Sequence, residues 1–397
     1  MAENYESNLP TLVCSLSEPR KELQGTRDCY VSYLIVTRST LPSFPKSEIK
    51  IRRRFSDFTK LHEIISRMYQ DCIVPPLPGK QRLEYIKGGR FSDEFISRRA
   101  SLLNRYLQRC SSHPVLHSSP HFIAFLSNSN WNNYVKLTIQ PKLNATSKLE
   151  DLSDAFLNAF TKLREQKEEY AQQKEHIQQI TSGIVNMESI LQRLSKLERV
   201  LEQNYHELSD QFGKLMAMNG ISDVSLDEMQ LALRGTRTEF AGLADNSHSL
   251  LDALKDIEAY TLAYRDLLKR RDQKQLDVEA LEDFLVKLNK EKEKLLNDKP
   301  SGLNFMKTVN DLRGINHEES LRKQMEQVDT EINTVEQAIQ EATEVSMLFD
   351  KRVNEEAQFF NAVRQAEMVD VMRKYAKLHV QFFSAIKDIW EINKQEP

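Results

Sequence analysis

Glycine is scarce in this chain, 11 in 397 residues, which leaves little of the permissive backbone from which tight catalytic loops are built. The sequences GxxxxGK[ST], GxSxG and HExxH are all absent, and no cysteine stands among partners placed for nucleophilic attack. An enzyme is therefore not expected, and no cofactor is implied. The four cysteines, Cys14, Cys29, Cys72 and Cys110, show no paired or CxxC spacing, which reads as a reduced, cytosolic chain. Apolar runs reach only a few residues, far short of a membrane span. The opening Met1-Ala2-Glu3-Asn4-Tyr5-Glu6 is acidic and polar, unlike a signal or transit peptide. Proline is nearly missing from the second half: ten of twelve lie at or before Pro141, and only Pro300 interrupts Lys142 to Glu396. A proline costs roughly 3 kcal/mol inside a helix, so very long helices are permitted there.

What is present divides the same way. The net charge of −3 conceals 19 Lys and Arg against 12 Asp and Glu in residues 1–131, and 36 against 46 in the rest. A basic N-terminal module suits an anionic partner such as a membrane surface. The acidic second half would need its cations gathered on one face to do the same.

The first part reads as α+β. Strand-forming segments fall near 11–17, 28–38 and 47–52, the last two flanking the turn-rich Leu41-Pro42-Ser43-Phe44-Pro45, which predicts a small antiparallel sheet. A helix capped by Ser56 is expected next, with Asp57 in its positive first turn and Phe58, Leu61, Ile64, Ile65 and Met68 on its apolar face. Two more helices are expected, from Ser92 and over 120–127, with Trp131 near the end of the module.

The second part reads as three long helices, opened by capping pairs Ser147 with Glu150, Ser225 with Glu228, and Asn316 with Glu319. Their seams alternate steps of three and four: Ile177, Ile180, Ile184, Met187, Leu191 and Leu194; then Phe240, Leu243, Ser247, Leu250, Leu254, Ile257, Thr261, Tyr264 and Leu268; then Met368, Val371, Tyr375, Leu378, Phe382, Ala385, Ile389 and Ile392. Such seams mark coiled-coil-like packing. Breaks are expected at Met218-Asn219-Gly220 and Lys299-Pro300-Ser301-Gly302. Residues 225–298 would span about 110 Å as one helix, which needs partners along its whole length. An antiparallel dimer of three-helix protomers supplies them.

Residues 52–99 carry the chemistry. Arg52-Arg53-Arg54-Phe55-Ser56-Asp57-Phe58 opens the stretch, Pro75-Pro76-Leu77-Pro78-Gly79-Lys80 follows, and Phe91-Ser92-Asp93-Glu94-Phe95-Ile96-Ser97-Arg98-Arg99 closes it. Guanidinium forks pair with phosphate oxygens, an aromatic face can lie against an inositol ring, and a turn can present one more cation. Leu83, Tyr85 and Ile86, ringed by Arg82, Lys87 and Arg90, suit a loop that dips into a membrane interface; the competing reading makes Leu83 and Ile86 core residues.

On these motifs residues 11–130 resemble a phox-homology (PX) domain, and residues 147–397 resemble a BAR domain. Together they resemble a sorting nexin of the PX-BAR class. The run from Pro75 through Gln81-Arg82-Leu83-Glu84-Tyr85-Ile86-Lys87, with Arg90-Phe91, Arg98-Arg99 and His113-Pro114-Val115-Leu116, is most similar to the sorting nexin-4 subgroup. The resemblance implies an N-terminal tail over 1–10, an α+β PX domain over 11–130, a linker over 131–146 and an all-α three-helix BAR domain over 147–397 that dimerises. It implies recognition of phosphatidylinositol 3-phosphate, with Arg54 on the 3-phosphate, Phe55 against the inositol ring, Lys80 on the 1-phosphate and Arg99 at the ring hydroxyls. It also implies a peripheral protein of endosome membranes, acting in recycling and in autophagy, including at the autophagosome assembly site.

Several alternatives stay open on sequence. The stripe Leu149, Leu152, Phe156, Phe160 and Leu163 can pack in the core or lie in the membrane; Glu150, Asp151 and Asp154 favour the core. The dimer can be a homodimer or a heterodimer with another PX-BAR sorting nexin, for which Tyr205, Phe382 and Trp390 are candidate seam residues. Arg52 and Arg53 are read as general electrostatics. Cys110, His113, His117 and His121 step like metal ligands, but Pro114 and Pro120 break any helix through them, so a structural turn is expected and no metal. Basic clusters at Lys269-Arg270-Arg271 with Lys274, at Lys287, Lys290, Lys292 and Lys294, at Arg322-Lys323, and at Arg373-Lys374 with Lys377 are candidate membrane contacts. The competing function is a coiled-coil scaffold whose basic module binds protein or nucleic acid without headgroup selectivity; nucleic acid is not expected.

Overall fold

In the computed structural model, residues 11–26, 29–79, 91–139, 163–164, 167–219, 224–297 and 317–391 are described. Strands β1 (Leu12–Glu22), β2 (Tyr30–Ser39) and β3 (Glu48–Arg54) form an antiparallel sheet in the order β1-β2-β3. The register runs from Leu12 opposite Ser39 to Ser17 opposite Leu34, then shifts before Arg20 opposite Ser32. At that irregularity Glu18 takes φ +45°, a left-handed conformation uncommon for a side-chain-bearing residue. Arg52 Nη2 donates to its carbonyl at 2.6 Å and its Nε donates to Ser32 Oγ at 2.9 Å. Arg52 is thus part of the sheet's own bracing.

Helix α1 (Phe55–Met68) follows β3 with no intervening loop. Its cap is Arg54, two residues before the expected Ser56, and Asp57 Oδ2 accepts the Arg54 backbone N–H at 3.1 Å. From the third helical position the carboxylate satisfies the N–H of the cap residue itself, the reciprocal half of a capping box, and its charge suits the positive helix start. Phe58, Leu61, Ile64 and Ile65 are buried as their spacing requires, whereas Met68, at the helix end, is 39% exposed. Helix α2 (Asp93–Ser112) starts where expected, with Ser92 Oγ accepting the Phe95 N–H at 3.3 Å. After a short 3-10 turn (Leu116–Ser118) come α3 (Pro120–Ser127) and α4 (Trp131–Tyr134). The aromatic centre of the module is Phe58 edge-on to Phe125, and Phe125 edge-on to Trp131, at 5.0 and 5.3 Å.

Three long helices complete the chain: α5 (Glu168–Asn219), α6 (Val224–Asn297) and α7 (His317–Glu391). The described helices end at Asn219 and Asn297, α6 runs for 74 residues, and the expected break residues Gly220 and Pro300 lie outside the described residues. The capping pair Ser147–Glu150 and the stripe over 149–163, apart from Leu163, lie outside the described residues. The chain divides into two compact units, one of residues 1–140, 173–265 and 357–397, the other of 141–172 and 266–356.

Within the first unit the three seams meet. Ile184, Leu250, Leu254, Ile257 and Val371 form a buried cluster, flanked by Ile180, Met187, Leu191, Met368, Tyr375 and Leu378. Tyr205 stacks on Phe240 at 5.5 Å, and Phe240 lies 4.9 Å from Phe382. Trp390 Nε1 donates to Thr236 Oγ1 at 2.9 Å. The three aromatics read as partner-selecting are therefore used inside the chain. Within the second unit, α6 and α7 bury Leu288, Val328, Ile332 and Val335 against one another. Arg271 is enclosed there, donating to both Asp350 oxygens at 2.7 and 3.3 Å, with its Cζ 4.0 Å from the Tyr170 ring centre.

Candidate phosphoinositide site

Three consecutive arginines end β3 and turn to three different tasks. Alternation along a strand puts Arg53 on the face opposite to Arg52 and Arg54. Arg53 is 4% exposed. Its Nε and Nη2 donate to the Phe125 carbonyl at 3.0 and 2.7 Å, and its Cζ lies 5.2 Å from the Phe125 ring centre. Burial lowers its pKa to about 10, with Asp57 opposing. Arg53 is thus a structural cation that holds the carbonyl end of α3. Neither it nor Arg52 is the loose surface charge expected from sequence.

Arg54 differs. Its side chain is 42% exposed, its Nε is 3.7 Å from Asp57 Oδ1, and its Cζ stands 5.5 Å from the centre of the Tyr30 ring. The carboxylate and the aromatic face orient the fork and leave it accessible. Phe55, the next residue, is half-buried, and the Cζ of Arg99 lies 4.4 Å from its ring centre. The Arg99 Cζ also lies 4.2 Å from the centre of the Phe95 ring. The Arg99 guanidinium thus lies close to two rings and the residue is 8% exposed, an arrangement that fixes its direction through cation–π attraction. Pro78 and Gly79 line the same small cavity as Phe95 and Arg99. The structure thus brings Arg54, Phe55 and Arg99 together, with the end of the proline run beside them. Lys80 and the loop residues Leu83, Tyr85 and Ile86 lie outside the described residues.

Two members of this group were not anticipated. Phe95 stands four residues before Arg99 on one helix, and that spacing could have identified it. Tyr30 reaches Arg54 only through the β2–β3 register, in which Ser32 is opposite Arg54, and nothing local in the sequence reports that.

The histidines of the series make local contacts. His113 Nδ1 accepts from the Val115 and Leu116 N–H groups at 3.1 and 3.2 Å, His117 Nδ1 pairs with the His113 carbonyl at 2.8 Å, and His121 Nδ1 pairs with Tyr134 Oη at 3.2 Å. Several clustered cations of the long helices are also engaged: Lys269 with Asp266 at 3.0 Å, Lys292 with Asp329 at 2.7 Å and Lys374 with Asp370 at 2.7 Å. The Arg271 side chain is 1% exposed, which removes it from any membrane surface. Lys287, Lys290, Lys294, Arg373 and Lys377 are exposed. Among the described residues, no helix is long and apolar enough to cross a membrane.

A small antiparallel sheet with helices, carrying a half-exposed arginine beside an aromatic-clamped one and followed by long seam-packed helices, defines a PX module joined to a BAR-like region. Residues 41–129 match the PX domain family, a span that contains Arg54, Phe55, Lys80 and Arg99. Over 384 residues the chain is 53% identical to sorting nexin-4 of Schizosaccharomyces pombe, covering 97% of this chain and 96% of that one. It is 33% identical over 399 residues to sorting nexin-4 of Emericella nidulans, covering 96% and 82%. The cryo-EM structure of the SNX-BAR Mvp1 tetramer superposes with a TM-score of 0.54 at 20% identity, covering 96% of this chain and 100% of that one, a likeness of fold. The chain belongs to the sorting nexin-4 family of PX-BAR proteins. Lipid binding and work on curved membranes follow from that membership.

Proposed function

We propose that the chain binds phosphatidylinositol 3-phosphate through Arg54, Phe55, Lys80 and Arg99, without catalysing a reaction. The observation that carries this reading is the Arg54–Phe55–Arg99 group: one accessible guanidinium fork held by Asp57 and Tyr30, and a second oriented by Phe55 and Phe95. A phosphate monoester is met by charge-assisted, bidentate hydrogen bonds. Lys80 adds a cation from the proline turn, and Leu83, Tyr85 and Ile86 enter the interface beside it. In this reading residues 11–130 are the PX domain and 147–397 the BAR domain, with 131–146 between them.

The helical part dimerises. Leu194, Leu201, Leu208 and Leu215 recur every seventh residue along α5 and are 38, 41, 52 and 57% exposed. A heptad stripe left open by the chain's own helices fits a second copy, or another PX-BAR sorting nexin. The dimer presents two headgroup sites and two basic faces to one membrane, and avidity multiplies a weak single contact. The protein then works on the endosome surface in sorting and recycling, and in autophagy.

The direct test is calorimetric titration of the full chain with soluble short-chain phosphatidylinositol 3-phosphate and with the 4-phosphate isomer. Binding of the 3-phosphate alone is expected. Equal binding of both, or of neither, removes the headgroup reading and leaves a basic module on a helical scaffold.

A further inference from the structure

We infer that a buried ion-pair lock between α2 and the parts of α6 and α7 in the same compact unit positions the headgroup site, so that lipid capture and the membrane contact of that part of the bundle act together. This inference rests on the headgroup reading above. Arg105 and Arg109 stand seven and eleven residues after Arg98 along α2, which places the three on one stripe of the helix. Arg99 is one residue on, about 100° around the axis, where it meets Phe55 and Phe95. The same helix thus carries the oriented cation of the site on one side and three arginines against the bundle on another.

Those arginines meet three carboxylates. Arg98 pairs with Asp252. Arg105 Nη1 donates to the Ala253 carbonyl at 3.3 Å and lies 3.4 Å from Asp256 Oδ2. Arg109 grips Glu367 with both forks, Nε to Oε1 at 2.8 Å and Nη2 to Oε2 at 2.6 Å, and its Nη2 is also 2.7 Å from Asp256 Oδ2. Its Cζ stands 4.4 Å from the Tyr260 ring centre. The side chains of Arg109, Asp256 and Glu367 are 1, 7 and 17% exposed. Asp252 and Asp256 belong to α6 and Glu367 to α7, so one helix of the module is tied to two of the bundle, all within one compact unit.

The chemistry favours positioning over stability. A buried ion pair contributes little net stability, since desolvation offsets attraction, but its loss leaves uncompensated charge, so it selects one geometry. An apolar contact could slide; bidentate pairs hold one register. Buried pairs are also screened little by salt. Part of the charge division in the sequence has its use here, as basic α2 meets acidic α6 and α7. A module swinging on a tether would spread its site over many orientations, whereas a fixed one keeps the effective concentration that avidity requires.

The test uses the full chain with Asp256→Asn and Glu367→Gln together. Affinity is measured for soluble short-chain phosphatidylinositol 3-phosphate and for phosphatidylcholine vesicles carrying that lipid. The lock predicts soluble affinity within about twofold of wild type and vesicle affinity lower by roughly tenfold or more. Vesicle affinity that falls no further than soluble affinity overturns it. Should the double variant fail to fold, judged by circular dichroism, Asp252→Asn carries the same comparison with the same two outcomes. If the wild type binds no soluble headgroup, the headgroup reading fails, and hydrogen exchange decides the lock: faster exchange along α2 in the variant supports it, and unchanged exchange overturns it.

Discussion

The Arg99 guanidinium carbon lies 4.4 Å from the centre of the Phe55 ring and 4.2 Å from that of Phe95. The ring next to Arg54 is therefore also a support for the second arginine of the site. Phe55→Ala is expected to weaken binding of soluble phosphatidylinositol 3-phosphate by about five- to thirtyfold, from the loss of a roughly 1–2 kcal/mol cation–π contact. Phe55→Tyr keeps the ring face and should bind within about twofold of wild type. Calorimetry on the three proteins checks this, and equal weakening by Ala and Tyr would count against the packing role.

Neighbouring arginines should separate stability from binding. Arg53→Ala removes a buried cation from the Phe125 carbonyl and is expected to cost roughly 2–3 kcal/mol of stability, because hydrogen bonds to charged groups are strong and a buried acceptor is left unmet. Arg54→Ala removes a half-exposed side chain and should shift the denaturation midpoint little, within about 0.5 kcal/mol. Urea unfolding of both variants gives the comparison.

His62 should make the module sensitive to mild acid. Burial holds its pKa below 6.5, with a hydrogen bond to the Pro75 backbone opposing. In the unfolded chain it titrates at about 6.5, so the unfolded state takes up the proton first. Its contribution is full above that value and is lost as pH falls through it towards the lower folded value. The melting temperature is expected to drop between neutral pH and about pH 5, and His62→Phe should flatten part of that slope. An unchanged slope would contradict the assignment.

The leucine stripe of α5 should govern assembly. Leu201→Asp with Leu208→Asp places charges on residues 41 and 52% exposed in the single chain, so folding should survive and association should not. Sedimentation velocity is expected to show a dimer for the wild type and a monomer for the variant. A variant that stays dimeric would move the interface elsewhere.

The sequence made the helices legible because their signals are local. The α6 seam from Leu243 through Leu268 is buried as its spacing requires, and the three expected long helices are present as α5, α6 and α7. The cap of α1 was misplaced by two residues because the helix starts directly from the end of β3, with the Asp57 carboxylate accepting the Arg54 backbone N–H. The divergent roles of Arg52, Arg53 and Arg54 were not legible, since they depend on which strand face meets α3 and on the β2–β3 register. The same holds for Arg109, whose partners Asp256 and Glu367 lie far away in sequence. Its charge was visible, but its burial was not.

The most direct test of headgroup capture by Arg54 is co-sedimentation of wild type and Arg54→Ala with vesicles that differ only in phosphatidylinositol 3-phosphate. Wild type should pellet only when that lipid is present, and Arg54→Ala should remain in the supernatant with both. Equal pelleting of the two proteins on any anionic vesicle would contradict the account, and the module would then be a basic surface without a headgroup site.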